Sequence, residues 1–185
     1  MKILLFGGAG QLGFELIKRA ADLNFEIFAP VISEIDIGSV EQAQMITDRV
    51  KPQVVINAAA YTAVDKAESE PAEAFRVNRE GARNVALAAR TIGCRLIHVS
   101  TDYVFDGMKG SALCETDPTN PQNVYGASKL AGEELVLQTL GDRALVVRTS
   151  SLHGQRGDNF VHTMLKLFDE KEVVKVVRDQ IMSPT

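Results

Sequence analysis

The chain has 185 residues, 45% of them hydrophobic, and a net charge of −4 from 20 basic and 24 acidic side chains. This length suits one domain, or one domain and the start of another, and the apolar content supports a sizeable core, which excludes wholesale disorder. Acids and bases are interspersed with no basic block, so nothing points to a nucleic-acid partner.

In chain order, Ile3 to Phe6 reads as a short buried strand. Its apolar run stops at Gly7, too early for the apolar core of a secretory signal. Amphipathic stretches then alternate with short branched runs. Leu12 to Leu23 is helical, Glu26 to Ala29 a strand, Val40 to Val50 a helix and Val54 to Asn57 a strand. The charged cluster Asp65, Lys66 and Glu68 reads as a solvated helix start, and Pro71 to Ile92 as one long helix. Leu96 to Ser100 is a strand, Gly107 to Asn123 a Pro- and Asn-containing loop, Tyr125 to Leu140 a helix and Ala144 to Arg148 a strand. Val173 to Val177 reads as a further strand, after which the chain ends at Thr185 without a helix cap or polar tail, as if cut short. Strand–helix alternation at this spacing predicts an α/β fold, a doubly wound parallel sheet of Rossmann type. The expected division is a dinucleotide-binding domain over 1–150 and the truncated beginning of a substrate region over 151–185. Cys94 and Cys114 lie in no metal-spaced cluster, and no stretch approaches the length of a membrane span. The expectation is therefore a cytoplasmic protein with reduced thiols and no membrane association.

Gly7-Gly8-Ala9-Gly10-Gln11-Leu12-Gly13 follows the first strand and opens the first helix. Glycines there permit a tight turn and let a pyrophosphate approach the backbone, while the helix N-terminus offers N–H groups and a positive dipole end. The second strand ends in Phe28-Ala29-Pro30-Val31, with no acid or arginine at its tip, and Glu34 and Asp36 follow later. NAD and NADP therefore remain open at this point.

Tyr125-Gly126-Ala127-Ser128-Lys129 puts a tyrosine and a lysine at i and i+4, on one helix face. A lysine cation beside a phenol favours the phenolate and lowers its pKa toward neutrality, which suits proton transfer to a carbonyl oxygen receiving hydride. The preceding strand ends in Ser100-Thr101-Asp102-Tyr103, and the hydroxyl of Ser100 or Thr101 is placed to bond the same carbonyl. His98, His153 and His162 read as structural or surface residues.

Together, Gly7 to Gly13, Asn57 to Asp65 (NAAAYTAVD), Ser100 to Gly107 (STDYVFDG) and Tyr125 to Lys129 resemble the dTDP-4-dehydrorhamnose reductases, extended short-chain dehydrogenase/reductases of dTDP-L-rhamnose synthesis. The resemblance runs over essentially the whole chain. It implies NADPH- or NADH-dependent reduction of the 4-keto group of a dTDP-sugar. Tyr125 would be the proton donor, Lys129 the holder of the nicotinamide ribose, and Thr101 the group orienting the ketone. Gly10, Gln11 and Leu12 would meet the pyrophosphate, Asp36 and Ile37 the adenine, and Ala60, Tyr61 and Thr62 the nicotinamide side. Asp102 and Tyr103 would contact the sugar nucleotide. Glu15 matches a glutamate that bridges a homodimer through Mg2+ in some members.

Two departures stand out: Ser151 occupies a position where the family commonly has tryptophan, and the family extends well beyond Thr185. Two other readings compete. A sugar-nucleotide epimerase or dehydratase is disfavoured by the STDYVFDG string. A non-catalytic subunit like the β subunit of methionine adenosyltransferase is disfavoured by the intact Tyr125 and Lys129.

Overall fold

Strand formation follows the short branched runs. β1 (Lys2–Phe6), β2 (Glu26–Phe28), β3 (Val54–Asn57), β4 (Arg95–Thr101) and β5 (Ala144–Thr149) form one parallel sheet in the order β2-β1-β3-β4-β5. The structure is a computed structural model and describes residues 1–185. Leu5 stands opposite Ile56, Asn57 opposite His98, and Thr101 opposite Thr149, so the carboxyl ends of β1, β3, β4 and β5 reach one edge together. Chain direction across the sheet reverses at β1, which opens a crevice beyond the ends of β1 and β3, where ligands sit in doubly wound folds.

The helices are α1 (Gln11–Asp22), α2 (Val40–Val50), α3 (Val64–Ser69), α4 (Pro71–Phe75), α5 (Ala82–Ile92), α6 (Val124–Leu140) and α7 (Phe160–Glu170). Right-handed crossovers put α2, α5 and α6 on one face of the sheet and α1 on the other. The core lies on the first face. Leu4, Phe6, Val55 and Leu96 of the sheet pack there with Ile46 and Val50 of α2, Val85 and Ala89 of α5, and Val136 and Leu140 of α6. On the other face, Leu145 of β5 stays 57% exposed, and α7 buries none of its residues.

Three elements differ from the sequence reading. The expected helix Pro71 to Ile92 is interrupted by a π-helical turn over Arg76–Gly81, between α4 and α5. The extra residue in that turn aims Asn78 inward, where it makes hydrogen bonds no regular helix would give it. Val173 to Val177 is not a strand, because β-branched residues form one only against a partner, and none pairs with them. The chain end instead returns to the loop after β5, where His153 N–H donates to the Thr185 carbonyl at 2.9 Å. α7 is not among the helices the sequence pattern predicts; Asn159 caps it by accepting from the His162 N–H at 3.1 Å.

Close packing seats α6 against the π-turn. A Cβ at Gly132 would overlap the Asn78 carbonyl oxygen and sit 3.3 Å from the Ala82 Cβ. Gly132→Val should therefore cost about 1–3 kcal/mol, as overpacking does. Urea unfolding measures this, and an unmoved midpoint would mean that α6 and the π-turn are not in tight contact.

Candidate active site

The crevice at the carboxyl edge of the sheet has a volume of about 720 Å³ and runs from Pro30–Ile32 at one end, past Gly7–Gly13, to Thr101, Tyr125 and Lys129 at the other. That size falls in the range of ligand clefts. Gly7 holds a left-handed φ of +86°, and a Cβ there would sit 2.5 Å from the Ala58 carbonyl carbon. Only glycine lets the loops after β1 and β3 meet so closely. Gly10 is the N-cap of α1 and supplies no side-chain cap, and no acid occupies the first turn. The first N–H groups of the helix are thus left for an anion, an arrangement that fits a dinucleotide pyrophosphate.

At the far end, the segment after β2 lays Ile35 and Ile37 into the core and presents Asp36. Both Asp36 carboxylate oxygens are occupied: one accepts the Gly38 N–H at 2.8 Å, the other the Arg76 guanidinium at 2.7 Å. Lys129 is the one basic side chain lining the crevice, and it lies at the opposite end.

The reactive end is built by α6. Asn123 caps the helix by accepting from the Gly126 N–H at 2.7 Å, and Glu68 of α3 accepts the Val124 N–H at 2.8 Å. These contacts fix the first turn, so Tyr125 and Lys129 face the end of β4. The Tyr125 ring meets Tyr103 edge-to-face, with centroids 5.6 Å apart. Burial raises the Tyr125 pKa, the Thr101 hydroxyl opposes this, and Asp102 and Tyr103 add to the rise. Lys129 is 2% exposed and donates to the Val99 carbonyl at 2.7 Å. Burial pulls its pKa down to about 8, against the pull of Glu133. The expectation that Lys129 lowers the phenol's pKa is therefore corrected. The ammonium is turned to a backbone carbonyl, and desolvation outweighs any help it gives the phenolate.

Thr101 donates to Asp102 Oδ1 at 3.2 Å and accepts the Tyr103 N–H at 3.2 Å. Asp102 Oδ2 accepts the Ser150 hydroxyl at 2.6 Å, so the carboxylate is held by two hydroxyls from β4 and the end of β5. Ser100 lines the crevice with its Oγ buried and without a partner. His98 is structural, as expected. It lies beside Asn57 at 3.2 Å, and burial together with the Lys129 charge pushes its pKa well down, keeping the ring neutral.

Of the residues expected at the cofactor, Gly7, Gly10, Gln11, Leu12, Gly13, Asp36, Ile37, Ala60, Thr62, Tyr125 and Lys129 all line the crevice. Tyr61 does not. Asn78 pins its backbone at both the N–H and the carbonyl, and its phenol turns away to Glu70 at 2.9 Å. Glu15 also lies outside the crevice. Its carboxylate accepts the Gln155 N–H at 3.1 Å, and no group of three His, Cys, Asp or Glu residues able to hold a metal exists in the chain. The expected Mg2+ role thus finds no ligand set here.

Sequence reasoning missed Asn78, which bonds both the Tyr61 loop and the Ser128 hydroxyl (2.9 Å), while Ser128 donates to the Tyr125 carbonyl at 2.7 Å. An asparagine inside a long helical stretch was the available signal, since it is a poor helix former. Ser150, Ser151, Leu152, Gly157 and Asp158 also line the crevice. Their segment folds back on α1, where the Asn159 amide donates to Gln11 at 3.1 Å and Arg156 stacks on Phe14 at 3.9 Å.

A family model described as RmlD substrate binding domain matches residues 1–185. The chain belongs to that family. It is 49% identical over 185 residues to a dTDP-4-dehydrorhamnose reductase of Burkholderia thailandensis, covering all of this chain and 61% of that protein. A dTDP-4-dehydrorhamnose reductase from Clostridium acetobutylicum superposes with a TM-score of 0.95 at 42% identity, over all of this chain and 65% of that one. A Bacillus anthracis dTDP-4-dehydrorhamnose reductase in complex with NADP gives the same TM-score and coverage at 41% identity. The chain thus spans less than two thirds of the length of these relatives.

Burying the Lys129 charge works against folding. The group loses its proton near pH 8 when folded and near 10.5 when unfolded. Its burden on stability is therefore full below about pH 8 and fades as pH rises toward 10.5. Lys129→Met should stabilise the protein at pH 7 by about 2 kcal/mol after the lost hydrogen bond is counted, with the gain shrinking above pH 8. Denaturant unfolding across that range reads it, and a destabilised variant at pH 7 would refute the strain.

Proposed function

We propose that this chain is the cofactor-binding and catalytic portion of a reductase that delivers hydride from NADPH or NADH to the 4-keto carbon of dTDP-4-dehydro-L-rhamnose, giving dTDP-L-rhamnose for surface polysaccharide. Residues 1–150 would bind the dinucleotide, and 151–185 would begin the substrate region. One observation carries the reading: the uncapped glycine-loop helix and the Thr101, Tyr125 and Lys129 side chains all open into one crevice.

The bound cofactor supplies the hydride. Tyr125 supplies the proton, and its burial suits that role, because a phenol with a raised pKa stays protonated at neutral pH until the ketone oxygen becomes an alkoxide. Lys129, one helical turn on, offers a cation to the resulting phenolate and to the cofactor's ribose hydroxyls. Thr101 sits beside Tyr125, and a rotation of its hydroxyl away from Asp102 would let it bond the ketone. The Asp102–Ser150 bond ties the substrate end of β4 to the end of β5.

Tyr125→Phe removes the proton donor and should lower turnover at least about 100-fold, with NADH affinity little changed. The assay follows oxidation of the reduced nicotinamide in a chain extended to the length of its relatives. Turnover that survives the substitution would rule out Tyr125 as the acid.

For the cofactor, we infer that NADH binds this chain at least as tightly as NADPH. No Lys or Arg lines the adenosine end to meet a 2′-phosphate, and Asp36 lies there. Ile32 is 82% exposed at that end. Ile32→Arg should shift the ratio of the two affinities about tenfold toward NADPH, the worth of one charge-assisted hydrogen bond. Calorimetric titration of both cofactors decides, and a wild-type chain preferring NADPH tenfold would overturn the inference.

A further inference from the structure

Behind Lys129 lies a pair of charges that the proposed reaction does not use. Glu133, one helical turn further along α6, is 2% exposed. Arg148 of β5 grips its carboxylate through Nε at 3.1 Å to each oxygen and through Nη2 at 2.6 Å. The other side of the guanidinium rests on the Phe105 ring, 4.9 Å from its centroid. Glu133 is thus a carboxylate fixed from two elements, inside the protein, on the same helix face as Lys129. Lys129 has three N–H donors and one hydrogen-bond partner, the Val99 carbonyl. An ammonium so poorly satisfied keeps its proton only if a negative charge stands nearby.

We propose that Glu133, held by Arg148, is a positioning residue of the site whose buried carboxylate keeps the Lys129 ammonium charged at the end of the crevice. This rests on reading Lys129 as a site residue. The groups facing Lys129 from each neighbouring element leave Glu133 as its support. From β4, His98 is neutral. Beyond β4, the Asp102 carboxylate accepts the hydroxyls of Thr101 and Ser150 and keeps its charge, which acts on the Tyr125 phenol. The π-turn contributes the neutral Asn78, while Arg79 pairs with Glu80 at the surface. α3 contributes Glu68, an exposed carboxylate at the start of α6 that accepts the Val124 N–H and whose charge water screens. α5 meets α6 with Ala82, Val85, Ala86 and Ala89, which carry no charge. On α6 itself, Tyr125 is a phenol and Ser128 a hydroxyl. Arg148 of β5 faces the carboxylate. The carboxylate that raises Lys129 against its burial is Glu133.

A salt bridge that merely staples α6 to β5 and one that sets the charge of Lys129 predict different signs. Lys129 can be titrated directly by NMR in the 185-residue chain with isotope-labelled lysine side chains, its resonance assigned by its loss in Lys129→Met. Glu133→Gln keeps an acceptor for Arg148 but removes the charge, and should lower the Lys129 midpoint by about one pH unit or more. Arg148→Met leaves the carboxylate without its counter-charge and should raise the midpoint. A staple alone would lower thermal stability in both variants and move the midpoint in neither, or in the same direction in both; either result overturns the proposal. If Glu133→Gln does not fold, Glu133→Leu combined with Arg148→Met removes both partners of the ion pair together and still takes the carboxylate from beside Lys129. Its Lys129 midpoint must then fall, and an unmoved one overturns the proposal. The pH at which NADH affinity declines should follow the same shifts. Because the lysine titration needs neither cofactor nor substrate, it stands apart from the reductase reading. Absence of NADH binding at every pH would sink that reading, whereas an unmoved lysine midpoint would sink this one.

Discussion

Holding one lysine charge out of water is the constraint around which this structure is arranged. Lys129 carries its ammonium into the protein with a single backbone partner, and its pKa falls from 10.5 to about 8. By linkage that shift corresponds to roughly 3 kcal/mol of folding free energy, a sizeable part of what a small domain has to spare. The surrounding structure offsets it by close packing. Gly126 brings α6 onto the Tyr103 carbonyl, and Gly132 brings it onto the π-turn. The Glu133–Arg148 pair sits behind it. Stability is commonly given up in this way at functional sites.

The crevice has two electrostatic ends. At the glycine loop, positive character comes from backbone N–H groups at an uncapped helix start. At the reactive end it comes from Lys129, buried beside a phenol that its own burial keeps protonated. Within one turn of α6 stand a phenol whose pKa burial raises and a lysine whose pKa burial lowers, so their environments push the two values apart. The phenol then stays protonated at neutral pH while the lysine beside it still carries its charge. Between these ends, the loop after β3 is held by Asn78, so one side chain in the π-turn ties the β3 loop to α6.

Much of this was legible in the sequence because it rests on local chemistry. Four of the five strands were read with the right core residues from short branched runs, and β2 differs only in ending at Phe28. The glycine loop needs glycines for steric reasons that hold in any fold, and the i, i+4 spacing places Tyr125 and Lys129 on one face of any helix. Tyr61 turns away from the crevice, Glu15 lies outside it, and Val173 to Val177 form no strand. Each had a plausible residue type, but its role depended on a neighbour from distant sequence: Glu70 and Asn78 for Tyr61, the Gln155 backbone for Glu15, and a strand partner that Val173 to Val177 never find.

The sequence by itself determined the α/β alternation, the glycine turn and the tyrosine–lysine face, because each depends on backbone sterics and on periodicities carried within a few residues. Tertiary structure alone decided the electrostatics. The burial of Lys129, the rise of the Tyr125 pKa, the capture of Asp102 by Ser150 and the clamp of Arg148 on Glu133 all join residues far apart in the chain or depend on how much water surrounds them. Desolvation is a property of the folded packing, and no spacing of residues along a chain encodes it.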